Sequence, residues 1–190
     1  MSNFTDFFPA PGGGGGGGGG IPKYQEFITS GTFTPSQALI DAGGRVSYMI
    51  VAGGNSTAGF FVGGQGGEAL LGYATLTSTN SCTVTIGAGG VSAVSTAGTN
   101  SSVSFSAAGG TDITAVSGGQ KTSNSWNAAQ NDSSNGYGAS AGNGIFGYGA
   151  GGGMRNTGGG GIQGAKPNTG QGNIYNSPAG SGFVRITWFE

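Results

Sequence analysis

Across residues 136–182 glycine recurs at short but irregular intervals and apolar periodicity is nearly absent, yet the chain then runs straight into an alternating stretch, FVRITWFE, at 183–190. Glycine loses the most entropy on folding and brings no side chain to a core, so such a tract does not fold by itself. The strand that follows it ties both ends of the tract to one folded body. Glycine is 46 of 190 residues and proline 6, a composition for which disorder is the default expectation. Apolar islands oppose that default: residues 46–51, 69–76, 82–86, 103–105 and 183–189 are strand-like and spread along the chain. No segment joins helical periodicity to caps. The expected fold class is therefore all-β, a β-sandwich body carrying long glycine-rich loops.

Charge narrows the function classes. Only 7% of residues are charged and the net charge is −1, so there is no electrostatic footprint for nucleic acid or for polybasic membrane binding. No apolar run reaches the length of about 18 residues that reads as a membrane span, and residues 1–20 lack the pattern of a signal peptide. Low charge also removes the usual solubility device. A chain of this kind is expected in an assembly or on an exterior.

The N-terminal peptide 1–11, MSNFTDFFPAP, groups Phe4, Phe7 and Phe8 ahead of two prolines. Three rings on a short terminus cannot bury one another. They form either a sticky tail or an anchor peptide that docks on a partner, and the spacer that follows favours the anchor. That spacer, residues 12–20, is uninterrupted glycine, spanning roughly 15–18 Å as a coil and about 28 Å if extended.

The body, residues 21–190, begins with a strand over 24–34 that is broken or turned at Gly31 and stops at Pro35. Residues 46–52 carry apolar side chains on both faces, which predicts a central strand covered on each side. Residues 69–77 and 81–86 are expected to pair as a hairpin across 78–80. Cys82, the sole cysteine, shares a face with Val84 and Ile86 and reads as buried filler; no intrachain disulfide is possible. Val103 and Phe105 should point inward, and residues 109–135 are polar apart from Ile113, Val116 and Trp126. In the last strand Val184, Ile186 and Trp188 share one face, with Phe183, Arg185, Thr187 and Phe189 on the other.

In order, Ser30-Gly-Thr-Phe-Thr34, residues 46–54, residues 63–67, Thr83-Val-Thr-Ile-Gly-Ala-Gly-Gly90, the glycine-rich tract and Gly182-Phe-Val-Arg-Ile-Thr-Trp188 make a series. It resembles the glycine-rich domain of bacteriophage tail-fibre and related virion proteins, over roughly residues 24–190. The tract at 136–182 is also similar to that of the T-even-type phage adhesins, in which glycine-rich motifs form polyglycine-II bundles and the intervening loops bind the host receptor. Here the tract is shorter and irregular, interrupted by Met154, Arg155 and Lys166. The resemblance implies a virion protein on the particle exterior, a homotrimer, joined through its N-terminus to other tail or capsid proteins. Its counterpart on the host would be a surface polysaccharide or an outer-membrane protein.

Catalytic chemistry is sparsely supplied. There is no histidine, which removes Ser-His-Asp and Cys-His arrangements and the usual zinc sites, so neither a metal nor another cofactor is expected. Gly142-Asn-Gly-Ile-Phe-Gly147 spells a dinucleotide fingerprint, but no βαβ pattern frames it and no acidic residue follows about twenty positions on. Gly118-Gly-Gln-Lys-Thr122 lacks the glycine before Lys121 that a P-loop needs. Seven carboxylates, Asp6, Glu26, Asp41, Glu68, Asp112, Asp132 and Glu190, are widely spaced, and a glycosidase-like pair could form among them only by tertiary contact. The expectation is a protein that is not an enzyme.

The candidate receptor-binding residues are Trp126, Tyr137, Asn143, Phe146, Tyr148, Arg155, Asn156 and Tyr175. Aromatics among small polar residues make adaptable recognition loops, and the same rings suit stacking on sugars. Alternatively they pack on the sheet or between subunits and bind nothing. Two functions therefore stand: a tail fibre or fibre tip that binds the host through glycine-rich loops, or a capsid or tail decoration protein that cements its neighbours.

Overall fold

The structure, a computed structural model, describes residues 20–56, 66–91, 96–117 and 179–190. The peptide 1–11, nearly all of the spacer and the tract 136–178 lie outside the described residues.

Among the described residues, eight strands form two antiparallel four-stranded sheets. They are β1 (Pro22–Phe27), β2 (Gly31–Phe33), β3 (Arg45–Val51), β4 (Ala69–Thr75), β5 (Cys82–Thr85), β6 (Ser101–Val103), β7 (Ile113–Ala115) and β8 (Phe183–Phe189). The first sheet has the order β1-β8-β3-β4 and the second β2-β5-β6-β7. β3 is an interior strand buried on both faces, as its two-sided apolar pattern predicts. β8 lies between β1 and β3, so the end of the described chain is enclosed by strands from its first half.

One apolar core draws on both sheets, with Phe27, Val46, Ile50, Val184 and Ile186 from the first and Phe33, Val84 and Val103 from the second. Aromatic contacts extend this core. Phe33 meets Trp188 edge-on with ring centroids 5.4 Å apart, and Tyr48 lies 5.8 Å from Phe105. Cys82 is fully buried in this core beside Val84. Burial pushes its thiol pKa up, more than the backbone hydrogen bond to Ala108 lowers it, so it is packing and not a reactive thiolate.

Four local expectations are corrected. The hairpin between residues 69–77 and 81–86 is not formed: β4 pairs with β3, and β5 with β2 and β6. Leu76 is buried, the N–H of Thr77 donates to the carbonyl of Ala108 at 2.8 Å, and the chain crosses from one sheet to the other instead of turning back. Gly31 opens β2 and is not a turn; the break falls at 28–30, where the chain again changes sheets. A one-and-a-half-turn helix, α1 (Gln37–Asp41), is present, with Ser36 as its N-cap accepting from the N–H of Leu39 at 3.0 Å. It is too short to display a period, and burial of Leu39 holds it. Finally, residues 113–115 make β7 within a segment read as polar, because three residues suffice to close an edge.

The register gives the body two distinct ends. Pro22 pairs with Phe189, and Arg45 with Thr75, at what we call the lower end; Val51 pairs with both Phe183 and Ala69 at the upper end. The two are roughly 20 Å apart, the length of a seven-residue strand. At the lower end Ile21 and Glu190 exchange backbone hydrogen bonds, so the polyglycine spacer enters the body there. The chain leaves for residues 57–65, 92–95 and 118–178 from the upper end and returns to it each time.

Candidate functional site

The upper end is built from backbone. Segments 52–56, 87–91, 96–100 and 179–182 lie side by side without forming strands. The N–H of Gly53 donates to Thr99 (3.0 Å) and that of Gly54 to Gly180 (3.0 Å), so successive residues of one segment reach different neighbours. Gly90 donates to Gly54 (2.9 Å), Thr99 to Ala88 (2.9 Å), Ala179 to Gly90 (2.9 Å) and Gly182 to Gly87 (2.8 Å). Bonding in several directions makes a bundle and not a sheet.

Such a bundle needs glycine for a steric reason. A Cβ on Gly53 would overlap the carbonyl of Ala88, on Gly87 that of Thr99, and on Gly89 that of Ala179. Only a residue without a side chain allows backbones this close, the same constraint that puts glycine on the axis of collagen. Backbone donors that find no carbonyl are taken by small polar side chains. The Thr96 hydroxyl accepts from Val91 N–H (2.8 Å), the Thr99 hydroxyl from Ala88 N–H (2.7 Å), Asn55 from Gly98 N–H (2.9 Å) and Ser101 from Gly87 N–H (2.9 Å). In these segments the small polar side chains of Thr96, Thr99, Asn55 and Ser101 thus complete the backbone hydrogen bonding.

Glu68 sits at the foot of this bundle with its side chain fully buried, and one carboxylate oxygen accepts from Val116 N–H at 2.9 Å. The other described carboxylates are likewise engaged: Glu26 with Arg185, Asp41 with Gln37, Asp112 with the N–H of Ser106, and Glu190 with Lys23 and Ser36. Hydrogen bonds from Lys23 and then Ser36 hold the Glu190 carboxyl below its ordinary range, and those from the Ser106 backbone and side chain do the same for Asp112. Among the described residues no three histidine, cysteine, aspartate or glutamate side chains gather as a metal site.

The candidate receptor-binding residues Trp126, Tyr137, Asn143, Phe146, Tyr148, Arg155, Asn156 and Tyr175 lie outside the described residues, as do the candidate anchor residues Phe4, Phe7 and Phe8, and Asp6 and Asp132. What the structure does place is the pair of residues, Ser117 and Ala179, between which that whole candidate set is strung. Ser117 N–H donates to the Asn55-side bundle through Asn100 (3.0 Å), and Ala179 is bonded into it through Gly90. The sequence reading missed the bundle; the available signal was four short glycine-bearing segments of small residues, Ala52-Gly-Gly-Asn-Ser56, Gly87-Ala-Gly-Gly-Val91, Thr96-Ala-Gly-Thr-Asn100 and Ala179-Gly-Ser-Gly182.

The chain was compared with family models, curated proteins and solved structures, and none matches.

Proposed function

We propose that the chain is a non-enzymatic virion protein, a phage tail fibre or fibre tip, attached by its N-terminus and binding the host surface through its glycine-rich loops. The observation that carries this reading is the separation of the two ends. The polyglycine spacer joins the lower end, while all three excursions, including 118–178 with its aromatic residues, depart from the upper end. Attachment at one end leaves the other facing outward, about 20 Å further away along the strands. In this reading the two sheets pack as a β-sandwich, residues 1–11 are the anchor, and three copies assemble into a homotrimer.

The test uses particles carrying alanine at Tyr137, Phe146, Tyr148 and Tyr175. Host adsorption should fall steeply, since a few aromatic anchors carry most of a binding energy, about 2 kcal/mol or more each. Thermal inactivation of the same particles should be unchanged. Unimpaired adsorption with reduced particle stability would overturn the proposal and establish a decoration protein instead, its rings packed between subunits.

A further inference from the structure

The outer face of the first sheet, opposite the core, presents a row the register defines: Tyr24 of β1, Thr187 of β8, Ser47 of β3 and Tyr73 of β4. Tyr24 is 67% and Tyr73 50% exposed, two large rings held in solvent on one face together with the partly exposed Leu71. They stand three strand spacings apart, about 14 Å, with the short polar side chains of Thr187 and Ser47 as a floor between them. Each ring is steadied by an arginine: the Arg45 guanidinium lies 4.7 Å from the Tyr73 centroid and that of Arg185 5.5 Å from Tyr24. Arg185 is also paired with Glu26, whereas among the described residues no carboxylate pairs with Arg45. The face therefore carries two guanidinium groups against one carboxylate.

From this arrangement we infer that the outer face is a binding platform for a short acidic oligosaccharide, one bearing carboxylate groups. Pre-oriented tyrosines offer ring faces and edges to the C–H faces of sugar rings, and the Thr187 hydroxyl and guanidinium groups offer hydrogen bonds to hydroxyls and carboxylates, Ser47 being buried with its hydroxyl donated to the Thr187 carbonyl. The excess positive charge selects the acidic sugar. Area argues against a second copy of the chain as occupant. Four strands of up to seven residues make a face of roughly 450 Å². Its upper part, with Met49, Val51, Ala69 and Phe183, is already buried, so what is left falls well short of the ~800 Å² per partner of a standard protein interface. The inference concerns a face of the body and does not rest on the role proposed for the loops.

The experiment titrates the full chain with a tetramer of galacturonic acid, and with cellotetraose as the neutral probe, following backbone amide shifts and calorimetry. The acidic probe should bind saturably, weaken with salt, and shift the amides of β1, β8, β3 and β4. Tyr24→Ala and Tyr73→Ala, both at exposed positions that leave folding intact, should each weaken it by about tenfold or more. Arg45→Gln should remove the preference over cellotetraose. Absence of binding at millimolar probe, equal binding of the neutral tetramer, or unchanged affinity in the tyrosine variants would overturn the inference. So would a fall in particle mass by light scattering in those variants, which would make the face a contact between copies.

Discussion

The lower and upper halves of this body are held together by opposite devices. Below, Phe33, Leu39, Phe105 and Trp188 fill the space between two sheets, and order comes from volume that must be occupied. Above, Gly53, Gly87, Gly89 and Gly90 let carbonyls approach where any Cβ would collide, and order comes from volume that must stay empty. Apolar burial drives the first. The second cannot rely on it, and is held by backbone hydrogen bonds contributing about 1 kcal/mol each, with the penalty for an unpaired buried donor enforcing the geometry. Glycine-rich sequence, then, is compatible with a defined structure when its neighbours are other extended segments anchored to a sheet.

The contrast is open to direct attack. The largest effect expected is from Phe105→Ala, which empties a fully buried site shared by both layers and should cost about 3–5 kcal/mol in denaturant unfolding of the full chain. A loss of less than about 1 kcal/mol, the scale of a surface change, would mean the two sheets do not depend on one core. Adding atoms above should also destabilise: Gly87→Ala places a methyl group on the Thr99 and Asn100 backbone, for about 1–3 kcal/mol. Gly43→Ala is its control at the lower end, where φ is +100° but no atom lies within 4 Å, so only left-handed strain of about 1–2 kcal/mol applies. Hydrogen exchange separates them: the Gly53 and Thr99 amides should lose protection in Gly87→Ala and keep it in Gly43→Ala. Equal loss in both would remove the distinction between the halves.

The smallest effect is electrostatic. Asp112 and Glu190 both have folded pKa values lowered by hydrogen bonds, so their contribution is present above the unfolded carboxyl pKa and lost as pH falls through the folded one. Asp112 is exposed and Glu190, though half-buried, lies at the surface beside Lys23, so solvent screens both and the loss is slight. Below about pH 4 the Ser106 amide, which donates to Asp112, should exchange faster than the bundle amides of Gly54 and Gly90, whose partners are carbonyls that do not titrate. Acid loosening of the bundle before Ser106 would contradict the assignment of these carboxyls.

Much of the first sheet was legible because its residues state their surroundings. Apolar side chains on both faces of residues 46–51 require cover on both sides, and the alternation of Val184, Ile186 and Trp188 fixes which face of β8 is core. Cys82 and Val84 were legible for the same reason. The failures share another cause. Residues 69–77 and 81–86 look like a hairpin locally, and nothing within them records that Leu76 is drawn between the sheets or that Ala108 takes the Thr77 amide. β7 and α1 are three and five residues long, below the length at which a period can be read.

Sequence by itself determined the class of the fold, its inward faces and the absence of histidine chemistry, since hydrophobic alternation and residue identity are local properties of the chain. Tertiary structure alone decided which strands share a sheet, that glycines from four distant segments meet in one bundle, and that spacer and loops depart from opposite ends. Tyr24 and Tyr73 likewise become a pair only once β8 and β3 lie between them. The physical reason is that glycine encodes permission and not preference. It allows a close approach, and only the partner segments, brought in by pairing across more than a hundred residues, determine whether that approach occurs.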